Sequence, residues 1–521
     1  MDADLDALEF AAIRRLLERL TVTPYGADAA RGLAPAPDIA AAWALQRAVT
    51  AARHAIEHGT ASLPRLPDIR AALRQASQAH AALPATALAH IAQLMRAGAA
   101  LQALWSRYPD LYQDGGVWAG APQLLTQLDA AVTPSGRVND AASVTLTELS
   151  EELSRGRAEV EALLKKRLAA LHVADEPRDA IVASGSRLLL ALAPQIADTI
   201  KGVRRGPAGH GHRYLVEPLE AVAANNRLEA CAGRRDAEEL IVRRTLTAAV
   251  AAALGALEAL LGAITWIDLA FAAGHLSIHM NAHAPRLVPE PLLRLHAVYH
   301  PAMLLAFADR RGPCPVPLSI TLDDSHPMLL VTGPNTGGKT VVLKTVGLLV
   351  AMAHCGLHIP GEGEAVVGCF RRIIVDIGDR QSLLHQLSTF ASHVEVLKRL
   401  LNEADGETLV LMDELGTGTD PEEGAALAMA VIDELAHRLV RGIITTHLSP
   451  LKGYAAAHPY LTNATMRFDD ERLVPTYELV VGESGSSHGL TIAERRGLAP
   501  ALLHAARAHL ARLEAARGAP V

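Results

Sequence analysis

The run Gly333-Pro334-Asn335-Thr336-Gly337-Gly338-Lys339-Thr340 follows the apolar residues Met328 to Val331 with only Thr332 between. A Gly-rich loop between a buried strand and a helix narrows the fold more than any other stretch of this chain. Its backbone N–H groups can wrap a polyphosphate. Gly333 and Gly338 allow the tight path, Lys339 reaches the β- and γ-phosphates, and the Thr340 hydroxyl can hold Mg²⁺. The apolar positions that follow (Val341, Val342, Leu343, Val346, Leu348) supply the helix, and this context separates the loop from a chance Gly cluster. The sequence therefore predicts a nucleoside triphosphate site with Mg²⁺.

At 521 residues the chain exceeds one hydrophobic core, and several domains are expected. Half of the residues are hydrophobic but only 3% are aromatic, and Ala dominates, a mixture that favours long helices. A net charge of −7 excludes a generally basic surface, so any nucleic-acid contact must be local. Cys231, Cys314, Cys355 and Cys369 lack metal-ligand spacing and read as buried thiols in a reducing cytoplasm. The acidic start has no basic n-region, and no uninterrupted apolar run reaches about 18 residues, so neither signal peptide nor membrane span is expected.

Residues 1–140 are Ala/Leu-rich with helical periodicity and read as an all-helical core domain, broken at Pro35, Pro37, Pro64, Pro67 and Pro84. Residues 141–285 read as long lever helices with a small clamp-like tip. Apolar positions from Leu149 to Leu171 outline one amphipathic helix. The span between Pro218 and Pro285 lacks proline and predicts a second, of about 45 residues and about 70 Å. The two are expected to pair and bridge domains, with Gly255 and Gly262 as bends. The tip has strand-like pieces at 181–182, 188–192 and 214–216, and a Gly-rich basic loop. That loop carries Lys201, Arg204, Arg205 and Arg213, with no acid between Asp198 and Glu217. It reads either as a solvated tip or as a phosphate-backbone contact. From 286 to 500, strand–helix alternation predicts an α/β P-loop domain with a mainly parallel sheet, and 501–521 a C-terminal helix.

Four further elements follow the P-loop. Thr408 to Met412 is an apolar strand ending in Asp413-Glu414. Asp413 then stands beside the P-loop Mg²⁺, and Glu414 is free to orient or polarise the attacking water. In Gly416 to Gly424, Thr419 or Asp420 can cap a helix that Pro421, Glu422 and Glu423 begin. Gly442 to Thr446 is another strand, and His447 at its end can sense the nucleotide. Between P-loop and acid pair, Gln386 to His393 offers hydroxyls, Ser388 among them, that suit either a helix cap or a phosphate-facing helix start.

Together, GPNTGGKT, LSTFASH, LVLMDELGTGTDPEEGAAL and IITTHL resemble, in order, the MutS family of dimeric, ABC-type DNA-repair ATPases. The wording DELGTGTDPEEGAAL looks like that family's MutS-two branch, as do Leu8-Glu9-Phe10, Leu66 to Arg70, Val216-Glu217-Pro218 and Asn225-Asn226. The resemblance implies that ATP sits between two ATPase domains of a homodimer. Gly333 to Thr340, Asp413 and Glu414 would act in cis, Ser388 would reach the partner subunit's γ-phosphate, and His447 would be the switch histidine. The loop Gly416 to Asp420 would lie near the dimer interface, and Tyr477 to Leu498 would close the ATPase domain.

The resemblance further implies a clamp or sensor for double-stranded, branched or damaged DNA. The second function it implies is an ATPase acting on stalled or collided ribosomes through rRNA. Nothing in the chain matches the mismatch-reading N-terminal wedge of the family's other branch, nor its own branch's C-terminal Smr nuclease domain, so mismatch reading is not expected, and nuclease activity is not expected unless this sequence is a piece of a longer protein. Arg380 and His385 in GDRQSLLHQ stand where the family tends to have acids. A transporter subunit is disfavoured by the absence of an LSGGQ-type segment, and an SMC-type ATPase by the short levers.

Overall fold

The computed structural model describes residues 2–59, 63–112, 121–171, 180–208, 213–333, 338–377, 389–469, 474–483, 490, 493–494 and 497–517. The chain divides into two compact units. One comprises Met1–Leu63, Trp105–Gln113 and Ala263–Val521, the other Pro64–Leu104 and Asp114–Gly262.

The second unit is built on the antiparallel pair of helices Val144–Ala170 and Leu219–Ala252. Ser143 caps the first, its hydroxyl accepting the Leu146 N–H at 3.0 Å. Arg227 pairs with Glu159 and Arg234 with Glu152, each at 2.6 Å, which fixes the antiparallel register along the exposed seam. The pairing expected from periodicity is present, but the continuous 45-residue helix is not. The chain breaks at Ala253 and restarts as Leu254–His279. The interruption falls at Ala253, two residues before Gly255, and both Gly255 and Gly262 lie within the second helix.

A four-stranded antiparallel sheet packs on this pair in the order 181–184, 187–192, 214–218, 202–207. Its inner face (Leu188, Leu190, Leu192, Val216) shares a core with Val160, Leu164, Ala221, Ala224 and Leu228. The basic loop of the sequence reading is corrected here, since Gly202–Pro207 is a strand. Strand pairing recruits it because Val203 and Arg204 lie opposite Glu217 and Val216 in the ladder.

The first unit holds the sheet that contains the P-loop strand. Six strands run in the order Arg372–Asp376, Thr408–Met412, Arg441–Thr445, Met328–Thr332, Leu461–Asp469, Val474–Val481. The first five are parallel and the last antiparallel. The P-loop strand shows why continuous apolar runs make central strands. Leu329 and Val331 face one core with the helix Lys339–His354, while Met328 and Leu330 face another with the helix Pro421–His437. A second, four-stranded sheet (286–288, 365–368, 293–298, 318–322) completes the first of these cores.

The expected helical domain over 1–140 is divided in the structure. Its first 63 residues belong to the unit that contains the P-loop. Leu8 is buried against the P-loop helix so closely that a β-carbon on Gly347 would lie 2.4 Å from it. Asp4 accepts from the Val375 N–H at 3.1 Å and from Arg399 at 2.5 Å. The helix Leu254–His279 is long and apolar enough to cross a membrane by length and composition, although Glu258, Thr265 and Asp268 interrupt its apolar run. From Ala263 onward it is a core element of this unit, and Asp268 explains its charge. That carboxylate accepts the N–H groups of Val22 and Thr23 and the Thr23 hydroxyl.

Candidate nucleotide site

The five parallel strands deliver their following residues to one edge of the sheet, where open α/β sheets bind ligands. Gly333 leaves the P-loop strand at φ +135° and Gly338 enters the helix at φ +95°, conformations an L side chain avoids. Pro334, Asn335, Thr336 and Gly337 lie outside the described residues, as does Ser388. Lys339 opens the helix, is only 3% exposed, and donates to the Gly333 carbonyl at 3.0 Å. Burial pulls its ammonium below the ordinary lysine value, against the opposing pull of the Glu414 and Asp413 carboxylates. A buried cation held by a backbone carbonyl, with helix N–H groups alongside it, fits a polyphosphate.

The Thr340 hydroxyl donates to Asp413 Oδ2 at 2.6 Å, so the two residues expected to hold Mg²⁺ are brought together. A hydroxyl and a carboxylate oxygen are the hard donors such a cation takes. Asp413 continues its strand, donating its N–H to the Asp376 carbonyl at 2.8 Å. Glu414 then turns the chain at φ +54°, and its carboxylate lies 3.9 Å from His447 Nδ1. His447, half exposed, follows the strand Arg441–Thr445, which brings it to the same sheet edge as Glu414.

Asp420 is the cap of the helix Pro421–His437, accepting the N–H groups of Glu422 at 2.9 Å and Glu423 at 3.3 Å. The preceding loop turns at Gly416 (φ +85°) and Gly418 (φ +91°).

Three contributors were not singled out by the sequence reading. Thr445 donates its hydroxyl to Asp413 Oδ1 and accepts the Glu414 N–H at 2.9 Å. As the last residue of a strand it looked like pattern rather than chemistry. Tyr477 sits at φ +61° with its ring 3.0 Å from where a β-carbon on Gly338 would stand, a contact 139 residues distant in sequence. His393 Nδ1 meets Asp376 Oδ2 at 2.7 Å beside Asp413, joining the helix Thr389–Glu403 to the sheet edge.

The basic residues of the tip are placed differently from a free phosphate-binding loop. Arg204 forms an ion pair with Asp198 and lies 5.6 Å from the Tyr214 ring centroid. Arg205 donates to Glu217 at 2.6 and 2.9 Å, and Glu217 is fully buried. Burial pushes the Glu217 carboxyl up, but Arg205, Asn225 and Arg187 outweigh it and hold it below its ordinary value. Two of the four candidate contacts are therefore engaged by the acids that bracket the run. Lys201 and Arg213 stand immediately before the strands Gly202–Pro207 and Tyr214–Pro218 of the tip sheet.

Residues 329–514 match the family model described as MutS domain V. Over 514 residues the chain is 35% identical to the Symbiobacterium thermophilum protein named Endonuclease MutS2, covering 97% of this chain and 63% of that protein. Proteins of the same name are 35% identical in Thermomicrobium roseum (96% of this chain, 65% of theirs) and in Thermus thermophilus (98% and 66%). The chain thus spans just under two thirds of the length of these relatives. The domain match begins within the P-loop strand and extends over the acid pair and His447, and the wider similarity runs through both compact units. On these grounds the chain belongs to the MutS family and to its MutS2 type.

Proposed function

We propose that this chain is a Mg²⁺-dependent ATPase that works as a homodimer on double-stranded or branched DNA. The observation that carries the reading is the Thr340–Asp413 contact, which joins P-loop and acid pair at one sheet edge. Lys339 exchanges its Gly333 carbonyl partner for phosphate oxygens. Mg²⁺ held by Thr340 and Asp413 would neutralise charge on the β- and γ-phosphates. Glu414 orients a water for attack on the γ-phosphorus. As the new P–O bond forms, the bond to the β-phosphate oxygen breaks, ADP leaves, and the water's proton passes to the Glu414 carboxylate. His447, 3.9 Å from that carboxylate, registers the change in its charge. Tyr477 offers an aromatic face beside Gly338 for the base.

The dimer is proposed from family membership, with Ser388 completing the partner's site. The relatives' shared name, Endonuclease MutS2, describes proteins that act on nucleic acid. On this chain, DNA contact is assigned to the tip sheet through Lys201 and Arg213, with the paired helices of that unit as its lever. A fluorescent-ATP titration of Lys339→Ala, alongside binding to four-way junction, duplex and ribosomes, tests the proposal. Loss of nucleotide affinity together with preference for junction or duplex supports it. Parental affinity in the variant, or ribosome binding alone, contradicts it.

A further inference from the structure

We propose that Thr445 is a positioning residue that sets the metal carboxylate and the water-orienting carboxylate at once. The inference rests on the nucleotide-site reading above and goes beyond it by naming the residue that holds Asp413 and Glu414 in their relative places. Thr445 is fully buried at the end of the strand Arg441–Thr445. Its hydroxyl donates to Asp413 Oδ1 and accepts the Glu414 N–H at 2.9 Å, while its carbonyl accepts the Leu415 N–H at 3.1 Å.

A hydroxyl has one proton to give and lone pairs to receive, and both capacities are used here. Giving the proton to Oδ1 fixes the Asp413 carboxylate plane and leaves Oδ2 directed at Thr340. Receiving the Glu414 N–H, with the next N–H taken by the same residue's carbonyl, holds Glu414 at φ +54°. That left-handed conformation is unfavourable for a residue with a β-carbon and persists only where its surroundings impose it. Thr445 is therefore the common support of two acids with different tasks. Removing the hydroxyl leaves the Asp413 carboxylate held through Oδ2 alone and Glu414 free to relax, and hydrolysis suffers more than nucleotide binding.

The test compares Thr445→Val, which keeps the shape and loses the hydroxyl, with Thr445→Ser, which keeps the hydroxyl. Phosphate release should show kcat reduced by about tenfold or more in Thr445→Val with KM for ATP changed less than about threefold. Thr445→Ser should return kcat to within about threefold of the parent. Fluorescent-ADP titration with and without Mg²⁺ gives a readout apart from turnover. The parental gain in affinity on adding Mg²⁺ should shrink in Thr445→Val and return in Thr445→Ser. If Thr445→Val does not fold by circular dichroism, Thr445→Ala is read against the same expectations. Glu414→Gln run in parallel separates the two levels. A slow Glu414→Gln with parental Thr445→Val and Thr445→Ala overturns the positioning role alone. A parental Glu414→Gln overturns the underlying site reading. A rise in KM at unchanged kcat, or a Ser variant as impaired as Val, also overturns the Thr445 proposal.

Discussion

Gly424 lies directly beneath the Gly416 carbonyl, so that a β-carbon on it would stand 1.9 Å from that oxygen. One glycine thus closes the loop that leads from the acid pair to the Asp420 cap onto the helix the cap begins.

Gly424→Ala is expected to displace the loop, because the obstacle is backbone and cannot turn aside. Overpacking of this kind destabilises by about 1–3 kcal/mol, and phosphate release should fall with it. Gly453→Ala is the control. It sits in the helix Ser449–Ala457 with open space where the β-carbon goes, and should be neutral or stabilising by up to about 1 kcal/mol. Thermal denaturation of both variants checks the pair, and equal midpoints would contradict the packing account.

Acid should weaken the ATPase unit before its carboxylates titrate. His358 is buried between Ser277 Oγ at 2.7 Å and Thr50 Oγ1 at 3.0 Å, and burial, aided by Arg53 and His283, holds it down to about 4. Between pH 6.5 and about 4 the unfolded chain binds a proton that the folded one refuses. Stability is therefore fully present above the unfolded value and is lost as pH falls through that window, by roughly 3 kcal/mol at its lower end. Denaturant midpoints measured from pH 7 to pH 4 should show the loss, and His358→Gln should flatten it.

In the tip, the basic residues separate into two kinds. Arg205→Ser leaves the buried Glu217 with fewer partners and should lower the stability of the second unit, since truncating a buried ion pair strands a charge. Replacing Lys201 and Arg213 with Ser should leave stability unchanged and reduce the log–log salt slope of duplex binding by about 2 per subunit. An unaltered slope in that double variant would place the contact elsewhere.

The helix Asp2–Ala7 should be required for a stable ATPase unit. Asp4→Ala removes the acceptor shared by Val375 N–H and Arg399 and leaves that guanidinium partly buried, an arrangement that destabilises by about 3 kcal/mol. Limited proteolysis should cut the unit faster in this variant than in Asp6→Ala, whose side chain is exposed.

The P-loop, the acid pair and His447 were legible in sequence because each sits at the end of an apolar strand, and parallel order brings strand ends to one edge. The Asp420 cap was legible because capping is local chemistry. Thr445 and Tyr477 were not, since their meaning lies in what faces them across the sheet. The assignment of residues 1–63 to the ATPase unit escaped for the same reason. Helical periodicity reports that Leu8 is buried but not that Gly347 makes room for it. Arg204 and Arg205 read as a free basic run because Asp198 and Glu217 stand outside it in sequence, yet adjoin it once the strands pair.

The most direct measurement of the central claim is nucleotide binding and phosphate release in Glu414→Gln. The substitution keeps the shape and removes the carboxylate that accepts the water's proton. The account predicts ATP affinity close to the parent's and turnover lower by about 10²-fold or more. Hydrolysis at the parental rate would contradict it.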